Sequence, residues 1–231
     1  MGALKRTLFY DNHVQAGATL VDFGGWEMPI QYPSGIVDEH IHTRIKSGIF
    51  DVSHMGRFIV SGREATAFLQ YVLTNNVLAL DLLQAQYTMI PNSHGGALDD
   101  AYLYRFYEDE YLLVVNAANA EKDWDHLNTE IRFFDAKIID RSAEIAMISL
   151  QGPDSKTVLK KLTGSENLTE PLKNALGILD YQGATLLIAR TGYTGEPLGF
   201  ELFAKAAQAT AIWEKLRQDG SGGDRPLPYE K

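Results

Sequence analysis

The apolar positions of the chain follow two periods. Alternating or short continuous apolar runs at 57–61, 86–90, 101–106, 110–116, 136–139, 145–150, 184–190 and 199–204 predict strands. Apolar residues three and four apart predict helices over 34–47, 62–73, 118–133, 152–162 and 205–218, with a weaker pattern at 167–179. The 34–47 helix would bury Ile36, Val37, Ile41 and Ile45, with Ser34 as N-cap and Gly48 as terminator. The 62–73 helix would bury Ala67, Phe68, Tyr71 and Val72. Trp124, Leu127 and Ile131 mark the inner face of the third, and Ala209, Ile212, Trp213 and Leu216 that of the last. Pro153 suits the first turn of the 152–162 helix, where its missing N–H costs nothing. The segment 20–29, with Gly24-Gly25 and Trp26, reads as a loop or bulged strand with the indole as a core anchor. Run 110–116 is placed antiparallel to 101–106 through a turn at 107–109. Irregular alternation and short connections together predict an α+β chain with mainly antiparallel sheet flanked by helices. No fixed-period repeat is present.

Composition narrows the classes. The 231 residues are 45% hydrophobic and 22% charged, an ordinary globular balance with enough chain for one large or two small domains. No run of about 18 apolar residues predicts a membrane span, and residues 1–10 lack the apolar core of a signal peptide, so a cytoplasmic location is expected. Zero cysteines remove disulfides, thiolate metal sites and cysteine nucleophiles. A net charge of −9 without any Lys/Arg cluster argues against a nucleic-acid partner. The phosphate-loop, dinucleotide, zinc-protease and serine-hydrolase motifs are absent. His40 and His42 stand two apart, not the four that would put both on one helix face, so no metal site is expected. His54, in FDVSHMG, has only its neighbour Ser53 as a nucleophile and reads as structural.

Two stretches carry chemistry. After the turn at Gly95-Gly96, Asp100, Tyr102 and Tyr104 stand at i, i+2 and i+4, so a strand projects one carboxylate and two phenols from one face, with Asp99 on the other. Tyr87 and Met89 share a face of the preceding strand. Such a row can meet a cationic or amine-bearing substrate, although acid after Gly-Gly and tyrosine in a strand are also ordinary structure. In RTGYTGE, 190–196, two glycines three apart bend the backbone sharply and Glu196 projects from the turn. A carboxylate held there can accept paired N–H donors from a flat heterocycle; a solvated turn glutamate is the plain alternative. Asn116, ahead of the 118–133 helix, is by itself a helix-start asparagine.

FGGWEMP, FDVSHMG, GGALDD, LLVVNAAN, LQGP and RTGYTGE occur in this order, and together they closely resemble the aminomethyltransferase, or T-protein, family of the glycine cleavage system, over residues 4–217. The resemblance implies an enzyme that takes the aminomethyl group from the dihydrolipoyl arm of lipoylated H-protein, passes the one-carbon unit to tetrahydrofolate as co-substrate and releases ammonia. It puts the catalytic aspartate on Asp100 and folate contacts on Tyr87, Tyr104, Asn116 and Glu196, with Met55 beside them. It implies a discontinuous first domain at 1–56 and 141–218, an inserted second domain at 57–140 and a mobile tail at 219–231. Family members continue into a third, β-rich domain, whereas this sequence runs out as GSGGDRPLPYEK. The folate pocket is therefore expected to be open on one side, with weaker folate binding and little or no transfer. The same scaffold also serves folate-dependent demethylases, and a shortened relative could bind folate or H-protein without turnover. A folate protein of iron–sulfur assembly fits less well, since its signature carries a cysteine and this chain has none.

Overall fold

A computed structural model describes residues 2–164 and 172–220. The chain divides into two compact units, one made of Met1–His54, Glu144–Lys173 and Ile178–Lys231, the other of Met55–Ala143 and Asn174–Gly177.

The first unit begins with α1 (Tyr10–Gln15), β1 (Thr19–Phe23), β2 (Trp26–Gln31), α2 (Ile36–Ile45) and β3 (Gly48–Asp51). Segment 20–29 is thus a hairpin, closed at Gly24 and Gly25 with φ of 58° and 87°, a conformation that glycine reaches without a Cβ clash. Trp26 is half-buried, with the Lys5 ammonium 5.9 Å from its ring centroid. Helix α2 reverses the expected facing: Ile36, Val37, Ile41 and Ile45 are exposed, while Glu39 and Thr43 are buried. Hydrogen bonds outweigh hydrophobicity here. Glu39 Oε1 accepts from Tyr32 N at 2.8 Å and from Ser34 Oγ at 3.2 Å, so the Ser34 hydroxyl serves Glu39 and Gly35 takes the cap position.

The second unit is contained in β4 (Gly56–Ser61), α3 (Ala65–Val72), β5 (Gln84–Pro91), β6 (Ala97–Tyr107), β7 (Glu110–Val115), α4 (Ala120–Glu130) and β8 (Lys137–Asp140). Its antiparallel sheet has the order β5-β6-β7-β4-β8. The β6–β7 turn forms at the predicted place, with Tyr107 opposite Glu110. Central β7 is apolar and buried almost throughout, whereas edge strand β5 alternates and leaves Tyr87 and Met89 exposed. Helix α3 buries Ala65, Phe68, Leu69 and Val72; Ala67 and Tyr71, expected inside, are exposed because the helix is rotated by about a quarter of a turn. The core joins Phe58, Phe68, Leu103, Leu113, Val115 and Leu127.

The chain then returns to the first unit through β9 (Ile145–Gln151), α5 (Ser155–Thr163), β10 (Leu176–Tyr181), β11 (Ala184–Ala189), β12 (Gly199–Lys205) and α6 (Ala206–Gly220). Helix α5 starts after Asp154, so Pro153 precedes it in a turn. The weak helical pattern at 167–179 is overridden: residues 176–179 are strand, and residues 167–171 lie outside the described residues. The sheet order is β10-β11-β12-β9-β3. Helix α6 buries Ala209, Ile212, Trp213 and Leu216 as patterned, and Trp213 stacks on Phe9 at 4.7 Å. Of the tail expected to be mobile, residues 219 and 220 belong to α6 and 221–231 lie outside the described residues. The architecture is α+β with antiparallel sheets, as the apolar pattern predicts.

Candidate functional site

In the second unit the site is built on β6. Strand alternation lines up Tyr102, Tyr104 and Phe106, with ring centroids 5.4 Å and 6.2 Å apart in succession. Tyr87 of β5 lies opposite Tyr102 in register, and their rings meet edge-on at 6.1 Å. The two phenols expected at the site differ: Tyr87 is 41% exposed and can offer a ring face, whereas Tyr104 is 1% exposed, between Tyr102 and Phe106. Partial desolvation, then a hydrogen bond to Asp100 and the charges of Asp100 and Asp99, hold the Tyr87 phenol above its usual pKa, so it remains a neutral donor.

Alternation predicts that Asp99 and Asp100 diverge, yet one amide joins them. Asn116 Nδ2 donates to Asp100 Oδ1 at 2.8 Å, to Asp100 O at 3.2 Å and to Asp99 Oδ1 at 2.9 Å. Register explains the meeting: Ala101 pairs with Val115, so the next step along each strand sets Asp100 against Asn116. Asn116 is therefore a partner of the acid pair, and Asn119 occupies the cap position of α4. Asp99 also accepts from Asn116 N at 3.1 Å and from Asn119 Nδ2 at 2.8 Å. Burial works to raise the Asp99 pKa, but its hydrogen bonds, those from Asn116 and Asn119 among them, outweigh it and hold the carboxyl below its usual range. Met55 lies at the same end of this sheet, just before Gly56, which pairs with Val115. It is half-buried, and its carbonyl accepts from the buried Arg57 guanidinium. Thus Asp100, Asn116, Tyr87 and Met55 share one sheet end.

In the first unit, Glu196 closes the loop between β11 and β12. The loop needs its glycines: Gly192 has φ 144°, and a Cβ there would run into the Gln151 amide. Gln151 ties the loop down, donating to Ser149 Oγ at 3.0 Å and Thr191 O at 3.3 Å while accepting from Thr194 Oγ1 at 3.0 Å. Thr191 hydrogen-bonds the buried Glu201. Glu196 does not project freely. Its Oε1 takes a hydrogen bond from Arg44 Nη1 at 2.6 Å, and the same nitrogen donates to Thr194 O at 2.8 Å. The Glu196 side chain is 10% exposed and that of Arg44 32%, so the pair is partly shielded. Arg44 comes from α2, 152 residues away, and no local sequence signal marks it. Gln151 belongs to the LQGP motif, whose hydrogen bonds to the loop only the fold reveals.

The remaining candidates have structural work. The Ser53 hydroxyl donates to Met147 O at 3.0 Å and accepts from Met147 N at 2.9 Å, and buried His54 meets Phe23 edge-on at 5.6 Å. Among the described residues no group of three or more His, Cys, Asp or Glu is placed to hold a metal ion, and no helix is long and apolar enough to cross a membrane.

The chain matches the GCVT N-terminal domain family over residues 9–227. It is 43% identical over 228 residues to an aminomethyltransferase of Desulfitobacterium hafniense, covering 98% of this chain and 62% of that protein. It is 44% identical to an aminomethyltransferase of Thermus thermophilus, covering 94% and 62% respectively. The crystal structure of glycine cleavage system aminomethyltransferase T from Bartonella henselae superposes with a TM-score of 0.84 at 37% identity, covering 92% of this chain and 57% of that one. A chain of heterotetrameric sarcosine oxidase from Corynebacterium sp. U-96 shares the fold alone, with a TM-score of 0.62 at 13% identity. The chain thus spans about three fifths of the length of the curated relatives it matches. With the family matched across both units, on the scaffold that carries Asp100 and Glu196, the chain belongs to the GCVT N-terminal domain family found in glycine cleavage T-proteins.

Proposed function

We propose that this chain binds tetrahydrofolate and serves the aminomethyltransferase step of glycine cleavage. In that step the one-carbon unit leaves the dihydrolipoyl sulfur of H-protein for tetrahydrofolate and ammonia is released. The observation that carries the reading is the state of Asp100. Its hydrogen-bond partners among the described residues are the Asn116 amide and the Tyr87 phenol, both neutral, so its negative charge is oriented but not cancelled. Such a carboxylate can stabilise positive charge developing on the one-carbon unit, or accept a proton from a folate nitrogen. Tyr87, with its exposed face, packs against the ligand, and Asn116 and Met55 frame the same sheet end. Glu196, held in a glycine-framed loop, fits a role at the N–H-rich edge of the pterin, where charge-assisted hydrogen bonds are strong. Tyr104 acts from behind, by holding the aromatic row in place.

The test is a transfer assay with aminomethyl-lipoyl H-protein and tetrahydrofolate, comparing native and Asp100→Asn forms of this chain or, where this chain does not turn over, of a full-length relative. Folate-dependent ammonia release that needs H-protein and collapses in Asp100→Asn supports the reading. Turnover of an N-methyl compound without H-protein would place the chain among the demethylases instead.

A further inference from the structure

The Asp99–Asn116–Asp100 cluster contains one more acid. Asp123 lies in the first turns of α4, is 0% exposed, and neither of its carboxyl oxygens receives a hydrogen bond. A buried ionised carboxylate without donors is among the costliest arrangements a protein can hold. The neighbour of Asp123 is Asp99, within hydrogen-bond reach. An ionised carboxylate offers about four acceptor sites. On Asp99, three are occupied by Asn116 N, Asn116 Nδ2 and Asn119 Nδ2. A proton on Asp123 fills the fourth and removes the orphaned charge in the same stroke.

We propose that Asp123 is a positioning residue for the transfer reaction: as a neutral acid it donates to the Asp99 carboxylate, which holds the Asn116 amide that in turn orients Asp100. The role in transfer rests on the aminomethyltransferase reading, whereas the shared proton rests on the burial of Asp123, its lack of donors and its place beside Asp99. The electrostatics agree. Burial first, then the hydrogen bond to Asp99 and the Asp99 charge, push the Asp123 carboxyl up to about 8, while Asp99 is held low. Among the described residues, the charged and titratable groups facing Asp123 are Asp99 and Asp100 from β6 and Lys122 from α4 itself, and Tyr87 from β5 faces Asp99 and Asp100. Lys122 opposes the shift but is engaged with Leu98 O at 2.6 Å and Asn119 Oδ1 at 3.0 Å. A carboxyl whose folded pKa lies above its unfolded value stabilises the fold relative to its ionised form at low pH, and that advantage is lost as pH rises through the folded value. Below pH 8 the Asn116 amide is held; above it a further negative charge enters a pocket that already carries two.

Three variants of the full chain separate the possibilities: native, Asp123→Asn and Asp123→Ala. Urea unfolding from pH 5 to pH 9 should show native stability falling with pH, by about one proton's linkage, and Asp123→Asn should flatten that slope. The Asn116 side-chain amide resonances should shift and broaden in Asp123→Ala and return towards native positions in Asp123→Asn, whose amide still donates to Asp99. In the transfer assay kcat should fall about tenfold in Asp123→Ala with little change in the KM for tetrahydrofolate, and Asp123→Asn should recover most of that loss. A native slope that is absent, or that survives in Asp123→Asn, overturns the shared proton. Native-like Asn116 resonances or kcat in Asp123→Ala overturns the positioning role. If calorimetry finds no tetrahydrofolate binding by the native chain, the functional reading fails, and with it the role in transfer; the unfolding and resonance results then decide the proton pair by themselves.

Discussion

The two units hold their candidate carboxylates in opposite ways. Asp100 is oriented by neutral donors, the Asn116 amide and the Tyr87 phenol, and keeps its charge uncompensated. Glu196 is met by a guanidinium at 2.6 Å in a loop that glycines and Gln151 make rigid. A carboxylate of the first kind suits charge that appears only during reaction, since nothing cancels it beforehand. One of the second kind suits a standing contact with N–H donors, because it is already oriented. Under the proposed function, the contrast would give turnover to Asp100 and affinity to Glu196.

The largest effect is expected where that division is most exposed. Asp100→Asn keeps the shape and the Asn116 contact but removes the charge, and should lower turnover about 10²–10³-fold. Comparable turnover in rapid-quench assays would end the assignment. Glu196→Gln should instead leave the rate at saturating folate within a few-fold and weaken folate binding about ten- to a hundredfold, the scale of one charge-assisted hydrogen bond. Gly192→Ala attacks the loop without touching either carboxylate. At φ 144° the new Cβ meets Gln151, so denaturant unfolding should show a loss of about 1–3 kcal/mol.

Asp99→Asn probes the same cluster from the other side. Strand alternation alone would make it a silent control for Asp100. Since Asp99 accepts the same Asn116 amide, the substitution should cost turnover about tenfold, less than at Asp100 but not nothing. The smallest effect concerns acid stability of the first unit. Asp51 is buried, and although burial works to raise its pKa, the bond and charge of His13, with Thr7 and Ser53, hold it below the ordinary 3.8. A depressed folded pKa gives stability that is present above 3.8 and lost as pH falls through the lower folded value. His13→Asn should therefore shrink the acid-dependent part of the unfolding free energy below about pH 4 in a circular-dichroism titration.

Much of this was readable from residues, for identifiable reasons. The row on β6 follows from period-two spacing after a glycine turn, and the bend in RTGYTGE from glycine itself. Helix α6 was legible because its face is uniformly apolar. Helix α2 was not, because the choice of buried face fell to Glu39, whose partners at Tyr32 and Ser34 are a tertiary matter. The link between Asp99 and Asp100 was not legible for a similar reason. Alternation gives the face of a side chain but not the reach of an asparagine on the adjacent strand end. Arg44 and Gln151 become visible as partners of Glu196 and its loop only once 152 and 43 residues of intervening chain have folded back.

On the proposed function, Glu196 serves affinity and Asp100 serves turnover. The most direct test of that division is calorimetric titration of tetrahydrofolate into the native chain, Asp100→Asn and Glu196→Gln under one set of conditions. Measurable binding by the native chain is expected, with affinity within about threefold of it for Asp100→Asn and a loss of about ten- to a hundredfold for Glu196→Gln. Native affinity in Glu196→Gln, or a larger loss in Asp100→Asn than in Glu196→Gln, would contradict that division.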